Sequence, residues 1–164
     1  MGDRFTERRG KVRAWMSREG IDAAVVVDAE GRRNPALRYL SGMPSDGLLF
    51  LFSGGPSILV PWDVHLAHNL ASVEEIIPYG NYERRLERAV AEVIGEVLGT
   101  SGPDRPVVEL GSTTPAPTLE KLRGAAPFRF LCREDGLADF IDTSRMIKDT
   151  EEIEVYRELA RRTD

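Results

Sequence analysis

The sequence predicts an α/β fold: a mixed, mostly parallel sheet of about six strands with helices on both faces. Three observations carry that expectation. Strand-like and helix-like runs alternate along most of the chain. Val25-Val26-Val27 lies in an apolar run without polar alternation, the pattern of a strand buried on both sides. GLLFLF and SILVPW are separated only by SGGP, so one antiparallel hairpin is built into the order and the sheet must be mixed.

The elements follow in turn. Residues 4–19 are helical, with Phe5, Val12 and Met16 on one face, Trp15 at its flank and Gly20 as the stop. IDAAVVVDA is the buried strand, EGRRNP a polar break, and ALRYLSG a short helical turn ended by Gly42. The hairpin occupies 47–52 and 57–62. DVHLAHNL is a short helix capped by Asp63, with Leu66, Ala67 and Leu70 inward and both histidines, His65 and His68, outward. EEIIPY (74–79) is a brief strand.

Residues 81–98 read as the clearest helix, capped by Asn81, striped by Leu86, Val90, Val93, Ile94 and Val97, and ended by Gly99. TSGPDRP is a loop, PVVEL a strand, PTLEKLRG a helix ended by Gly124, and FRFLC the last strand. Residues 136–146 form a helix with Leu137, Phe140 and Ile141 inward. Asp149 and Thr150 then offer N-caps, and Glu152 gives the pair with Asp149 the form of a capping box. Ile153, Tyr156, Leu159 and Ala160 continue at helical spacing. Such a well-marked helix, about three turns from the last residue, either packs on its own domain or opens a further one.

Composition narrows the function classes. The chain has 164 residues, 41% apolar and 30% charged, which describes one soluble domain able to bury a core. A net charge of −5 gives no reason to expect nucleic acid, and the basic residues, spread among acids, read as a solvated mixed-charge surface. No apolar run is long enough for a membrane span, and the first residues lack a secretion signal's apolar region. A lone cysteine, Cys132, rules out an internal disulfide and suits a reducing cytoplasm.

The local clusters do not assemble an active site. His65 and His68, three apart, could share a metal on one helix face, but a third ligand is missing and Asp63 sits at the cap. SGGPS joins two strands, whereas a phosphate cradle joins a strand to a helix. Ser112, Thr113 and Thr114 precede a helix and read as turn and capping residues. Cys132, inside a strand run, reads as a small buried apolar residue. Arg38 and Tyr39 stand out because a segment after the first strand often carries function.

Taken together and in order, several stretches resemble the creatinase, aminopeptidase P and prolidase family of pita-bread metallohydrolases. They are GIDAAVVVDA, RYLSGM, ILVPWD and the closing SRMIKDTEEIEVYRELA. RYLSGM is similar to the family's Tyr-Leu-Ser/Thr-Gly stretch. Arg145 to Asp149, followed by Glu152-Ile153, resembles the junction at which the family's catalytic domain begins. The resemblance implies a family N-terminal domain over 1–148, with 149–164 starting the first helix of a C-terminal catalytic domain. It implies that the catalytic domain holds two divalent metal ions whose bridging water attacks a carbonyl, typically in the bond preceding proline. No catalytic residue, cofactor or metal ligand falls on this chain.

The expected role is therefore a non-catalytic assembly domain that helps build a homodimer in the cytoplasm and borders an active site. Arg38, Tyr39, His65 and His68 are the candidate subunit and domain contacts. Three other readings stay open. One is the N-terminal domain of a creatinase-like amidinohydrolase. Another is a free-standing α/β module holding a small ligand at the carboxyl ends of its strands. The third is an enzyme acting through His65 and His68.

Overall fold

Residue alternation along the central strands decides how the sheet is sandwiched. The computed structural model describes residues 3–99 and 105–163, so the first five residues of TSGPDRP lie outside the described residues. The strands are β1 (Ala23–Asp28), β2 (Gly47–Phe52), β3 (Ser57–Pro61), β4 (Glu75–Ile76), β5 (Val107–Leu110) and β6 (Arg129–Leu131). They form one six-stranded sheet in the order β4-β3-β2-β1-β5-β6. The β1–β2 and β2–β3 pairs are antiparallel; β1–β5, β5–β6 and β3–β4 are parallel. The sheet is therefore mixed and mostly parallel, as the sequence predicts.

The helices are α1 (Arg4–Glu19), α2 (Pro35–Ser41), α3 (Val64–Leu70), α4 (Leu86–Leu98), α5 (Ala116–Ala125), α6 (Leu137–Met146) and α7 (Thr150–Thr163). Register aligns Val25, Phe50 and Ile58 across the sheet, and they pack with Val90, Val93 and Ile94 of α4 and Leu122 of α5. Their neighbours Val26, Leu49 and Leu59 point the other way, into a core shared with α1, α2, α3 and α6. Every residue of β2 and β3 is buried. Each fully buried Leu or Phe contributes about 1.5–3 kcal/mol, so these two strands make a large contribution to the apolar stabilisation.

Several boundaries differ from the sequence expectation. The fourth helix starts at Leu86, not near Asn81. Tyr79–Tyr82 instead form a 3₁₀ turn that buries Tyr79 and Tyr82 together, since side chains three apart eclipse in that geometry. Glu83 and Arg84 then take φ of 54° and 55°, which interrupts the helix. Gly124 does not end α5, which runs on to Ala125. The stop is Ala126, extended because Pro127 disfavours the helical region for the residue before it. The fourth strand is shorter than 74–79, since Pro78 has no N–H to give a ladder.

Two expectations about burial also fail. Leu70 was expected to face inward with Ala67, yet it is exposed, because α3 ends there and the chain turns extended at Ala71. Arg8 and Arg9 are not solvated; both are buried on the inner face of α1 beside Val12 and Met16. Arg9 Nη1 donates to Leu40 O at 2.9 Å and to Ser72 O at 2.5 Å. It thus ties α1 to the end of α2 and to the approach to β4. At the C-terminal end of α1, Arg133 bridges fully buried Glu109 of β5 (3.2 Å) and Glu19 (2.9 Å). A buried carboxylate is tolerable only when paired in this way.

Candidate functional site

An open groove of about 860 Å³ lies beside α1 and α2. Its lining comes from α1, α2, α7, the ends of α3 and α6, and the loops beside them. Arg4, Phe5 and Arg8 of α1, Arg38 and Tyr39 of α2, and Val155 and Tyr156 of α7 line it. The segment after β1 contributes Asp28 and Arg33.

That segment is shaped by one carboxylate. Asp28 ends the buried strand and is itself buried. It accepts from the backbone N–H of Asn34, from that of Asp46 at 2.7 Å, and from Arg33 at 3.2 Å. Arg33 also reaches Asp46 at 2.8 Å, and the two acceptors hold its guanidinium above its ordinary value, the Asp46 hydrogen bond first. Asn34 then caps α2 by accepting from Ala36 N at 3.1 Å. Gly42 ends α2 at φ 81°, donating to Arg38 O at 2.9 Å.

Arg8 stands at the junction of the walls. Nη1 donates to Tyr39 O at 3.1 Å, and the guanidinium lies 4.1 Å from the Tyr39 ring centroid. Nη2 pairs with Asp149 and, at 3.1 Å, with Glu152. Those carboxylates are the capping box of α7: Glu152 N donates to Asp149 Oδ1 at 2.8 Å, and Asp149 N to Glu152 Oε2 at 3.1 Å. Arg4 adds an exposed pair to Glu151 at 2.8 Å. Beyond this first turn α7 buries nothing, and Ile153, Val155, Tyr156 and Leu159 leave an uncovered apolar stripe.

Of the residues singled out from sequence, the structure brings Arg38 and Tyr39 together in the groove. It leaves His65 and His68 exposed on α3, lining neither the groove nor a smaller hollow of about 390 Å³ beside Trp62 and Asp63. Among the described residues, no three His, Cys, Asp or Glu side chains cluster closely enough to hold a metal ion. Thr114 closes a turn, its hydroxyl donating to Gly111 O at 2.7 Å. Cys132 is half-buried, and burial pushes its thiol up despite the Thr114 hydrogen bond.

Arg8, Asp28 and Arg33 were missed in the sequence. The signal for Arg8 was present: it lies four residues before Val12 and seven before Trp15, on the helix's apolar face. Asp28 gave a weaker one, a carboxylate closing an otherwise apolar strand.

A family model described as the creatinase/prolidase N-terminal domain matches residues 8–148. No curated protein sequence matches the chain significantly. Among solved structures, the fold is similar to a Xaa-Pro dipeptidase from Bacillus anthracis (TM-score 0.71, 17% identity), over 94% of this chain and 39% of that one. The prolidase from Pyrococcus horikoshii OT3 superimposes with a TM-score of 0.64 at 20% identity, over 90% of this chain and 37% of that one. The N-terminal domain of the cytoplasmic peptidase PepQ from Mycobacterium tuberculosis H37Rv gives a TM-score of 0.58 at 21% identity, over 84% of this chain and 97% of that one. The chain thus spans well under half the length of the dipeptidase and the prolidase, and nearly all of the isolated PepQ domain.

Proposed function

The chain belongs to the creatinase/prolidase N-terminal domain family, and on that premise we propose that it serves as the non-catalytic assembly domain of a metal-dependent Xaa-Pro peptidase. The observation that carries this reading is the family match ending at residue 148, directly before a capped helix whose apolar face nothing in the described chain covers. In this reading α7 is the first helix of a catalytic domain, and that domain covers the stripe of Ile153, Tyr156 and Leu159. The names of the similar structures favour peptide bonds next to proline over creatine-like substrates.

The described residues of this chain do not form a site for a pair of divalent ions. His65 and His68 are exposed, and no acidic side chain among the described residues joins them in a ligand cluster. The water-activating chemistry therefore belongs to the catalytic domain, and this domain acts by binding and placement. Arg38 and Tyr39 in the groove, and His65 and His68 on α3, are the proposed contacts to that domain or to the second subunit of a homodimer. The setting is cytoplasmic. Among the described residues no helix is long and apolar enough to cross a membrane.

The test is an assay of the protein carrying this domain together with its catalytic domain, against Xaa-Pro dipeptides and creatine. Dipeptide hydrolysis that needs added divalent metal is expected, with none from residues 1–164 alone. Metal-dependent hydrolysis by residues 1–164, or turnover of creatine in place of the dipeptides, would overturn the proposal.

A further inference from the structure

The geometry points to Arg8 as a positioning residue that sets the direction in which α7 leaves the domain. Hydrophobic burial does not set it, because none of the residues of α7 is buried. The connecting residues Met146, Ile147 and Lys148 do not set it either, being exposed. What remains is charge at the first turn of the helix. The Arg4–Glu151 pair has side-chain exposures of 38% and 67%, and ion pairs that open contribute little. The Arg8 side chain is only 9% exposed. Its two carboxylate partners fix one edge of the guanidinium, and the Tyr39 carbonyl and ring fix the rest.

A planar guanidinium can serve all four partners at once, whereas a lysine ammonium, a point charge on a flexible stem, cannot. Asp149 and Glu152 therefore do two things. They cap α7, and they attach it to α1 and α2 through one buried cation. Because Val155 and Tyr156 of α7 line the groove together with Arg38 and Tyr39 of α2, the same contact shapes that groove. Resting on the assembly-domain reading, the consequence is that Arg8 orients the catalytic domain against this one. The contact itself is independent of that reading.

Capping and attachment can be separated. Asn is as good an N-cap as Asp, and Gln serves the third helical position of a capping box as well as Glu. The double variant Asp149→Asn, Glu152→Gln thus keeps the start of α7 but removes both charges facing Arg8. Spin labels on cysteines introduced at Gly54 and Ala160, in a Cys132→Ser background, report the direction of α7 as a distance distribution. Hydrogen exchange of α7 and of β1–β2 reports helix content and core stability in the same samples.

The expected result is a narrow distribution in the parent, a clearly broadened one in the double variant, and unchanged exchange in β1–β2. Tryptic cleavage after Lys148 should rise about tenfold, the scale of losing a charge-assisted contact. Arg8→Lys should broaden the distribution as well. An unchanged distribution in the double variant overturns the inference, as does an Arg8→Lys protein as narrow as the parent. Loss of protection in β1–β2 parallel to that in α7 also overturns it, since the residues would then support the whole fold and not one helix. No activity is measured, so failure here leaves the family reading untouched.

Discussion

Gly42 shows how one residue joins two walls of the groove. It ends α2 at φ 81°, and a Cβ there would meet Leu70 O at 2.7 Å and the Phe5 ring at 3.1 Å. Glycine is needed twice over, for the left-handed backbone and for the close approach of α3. Gly20 ends α1 at φ 67° with nothing within 4 Å, so it isolates the backbone cost alone. Gly20→Ala should cost about 1 kcal/mol. Gly42→Ala should cost more, about 2–4 kcal/mol, as strain and overpacking add. Chemical denaturation of both variants checks this, and equal losses would show that the Leu70 contact yields freely. The sequence revealed both glycines as helix stops but gave no sign of the approach of α3, which links residues far apart in the chain. Arg9 was hidden for the same reason: its partners Leu40 and Ser72 are distant in sequence, so only its place on the apolar face of α1 marked it.

At the scale of an element, α7 is held by charges and should respond to acid before the sheet does. Burial alone would raise the Asp149 carboxyl. The Glu152 N–H hydrogen bond and the Arg8 and Arg4 charges outweigh burial and hold it below its ordinary value. A carboxylate depressed in the folded state stabilises above its unfolded pKa of about 3.9, and that contribution is lost as pH falls through the folded value. The charged groups acting on it or bonded to it are Arg8, Arg4 and Glu152. Protection of α7 against amide exchange, referenced to unstructured rates at each pH, should therefore fall below about pH 4 while that of β2 persists. Equal persistence of both would show that the first-turn charges do not hold the helix. The start of α7 was legible in Asp149-Thr150-Glu151-Glu152, because a capping box is written within four residues. The start of α4 was not, because the 3₁₀ turn before it is dictated by the burial of Tyr79 and Tyr82 against the sheet and α4.

For the whole molecule, the core lies on the two faces of the sheet and α7 takes no part in it. A chain ending at Lys148 should unfold cooperatively with a midpoint within about 3 °C of the full sequence, no more than a loss of about 1 kcal/mol would produce. Calorimetry decides, and a drop beyond about 8 °C would make α7 part of the domain. The sequence by itself determined the alternation of strands and helices, the hairpin, the ends of α1 and α2 and the first turn of α7. Apolar periodicity, glycine stops and capping side chains act over a few residues, so they can be read along the chain. Only the tertiary structure decided the strand order, the burial of Arg8 and Arg9, and the groove that Arg38 and Tyr39 line together with Val155 and Tyr156. Each of these depends on contacts between distant segments, and whether a charged side chain is buried is settled by the partner it meets there.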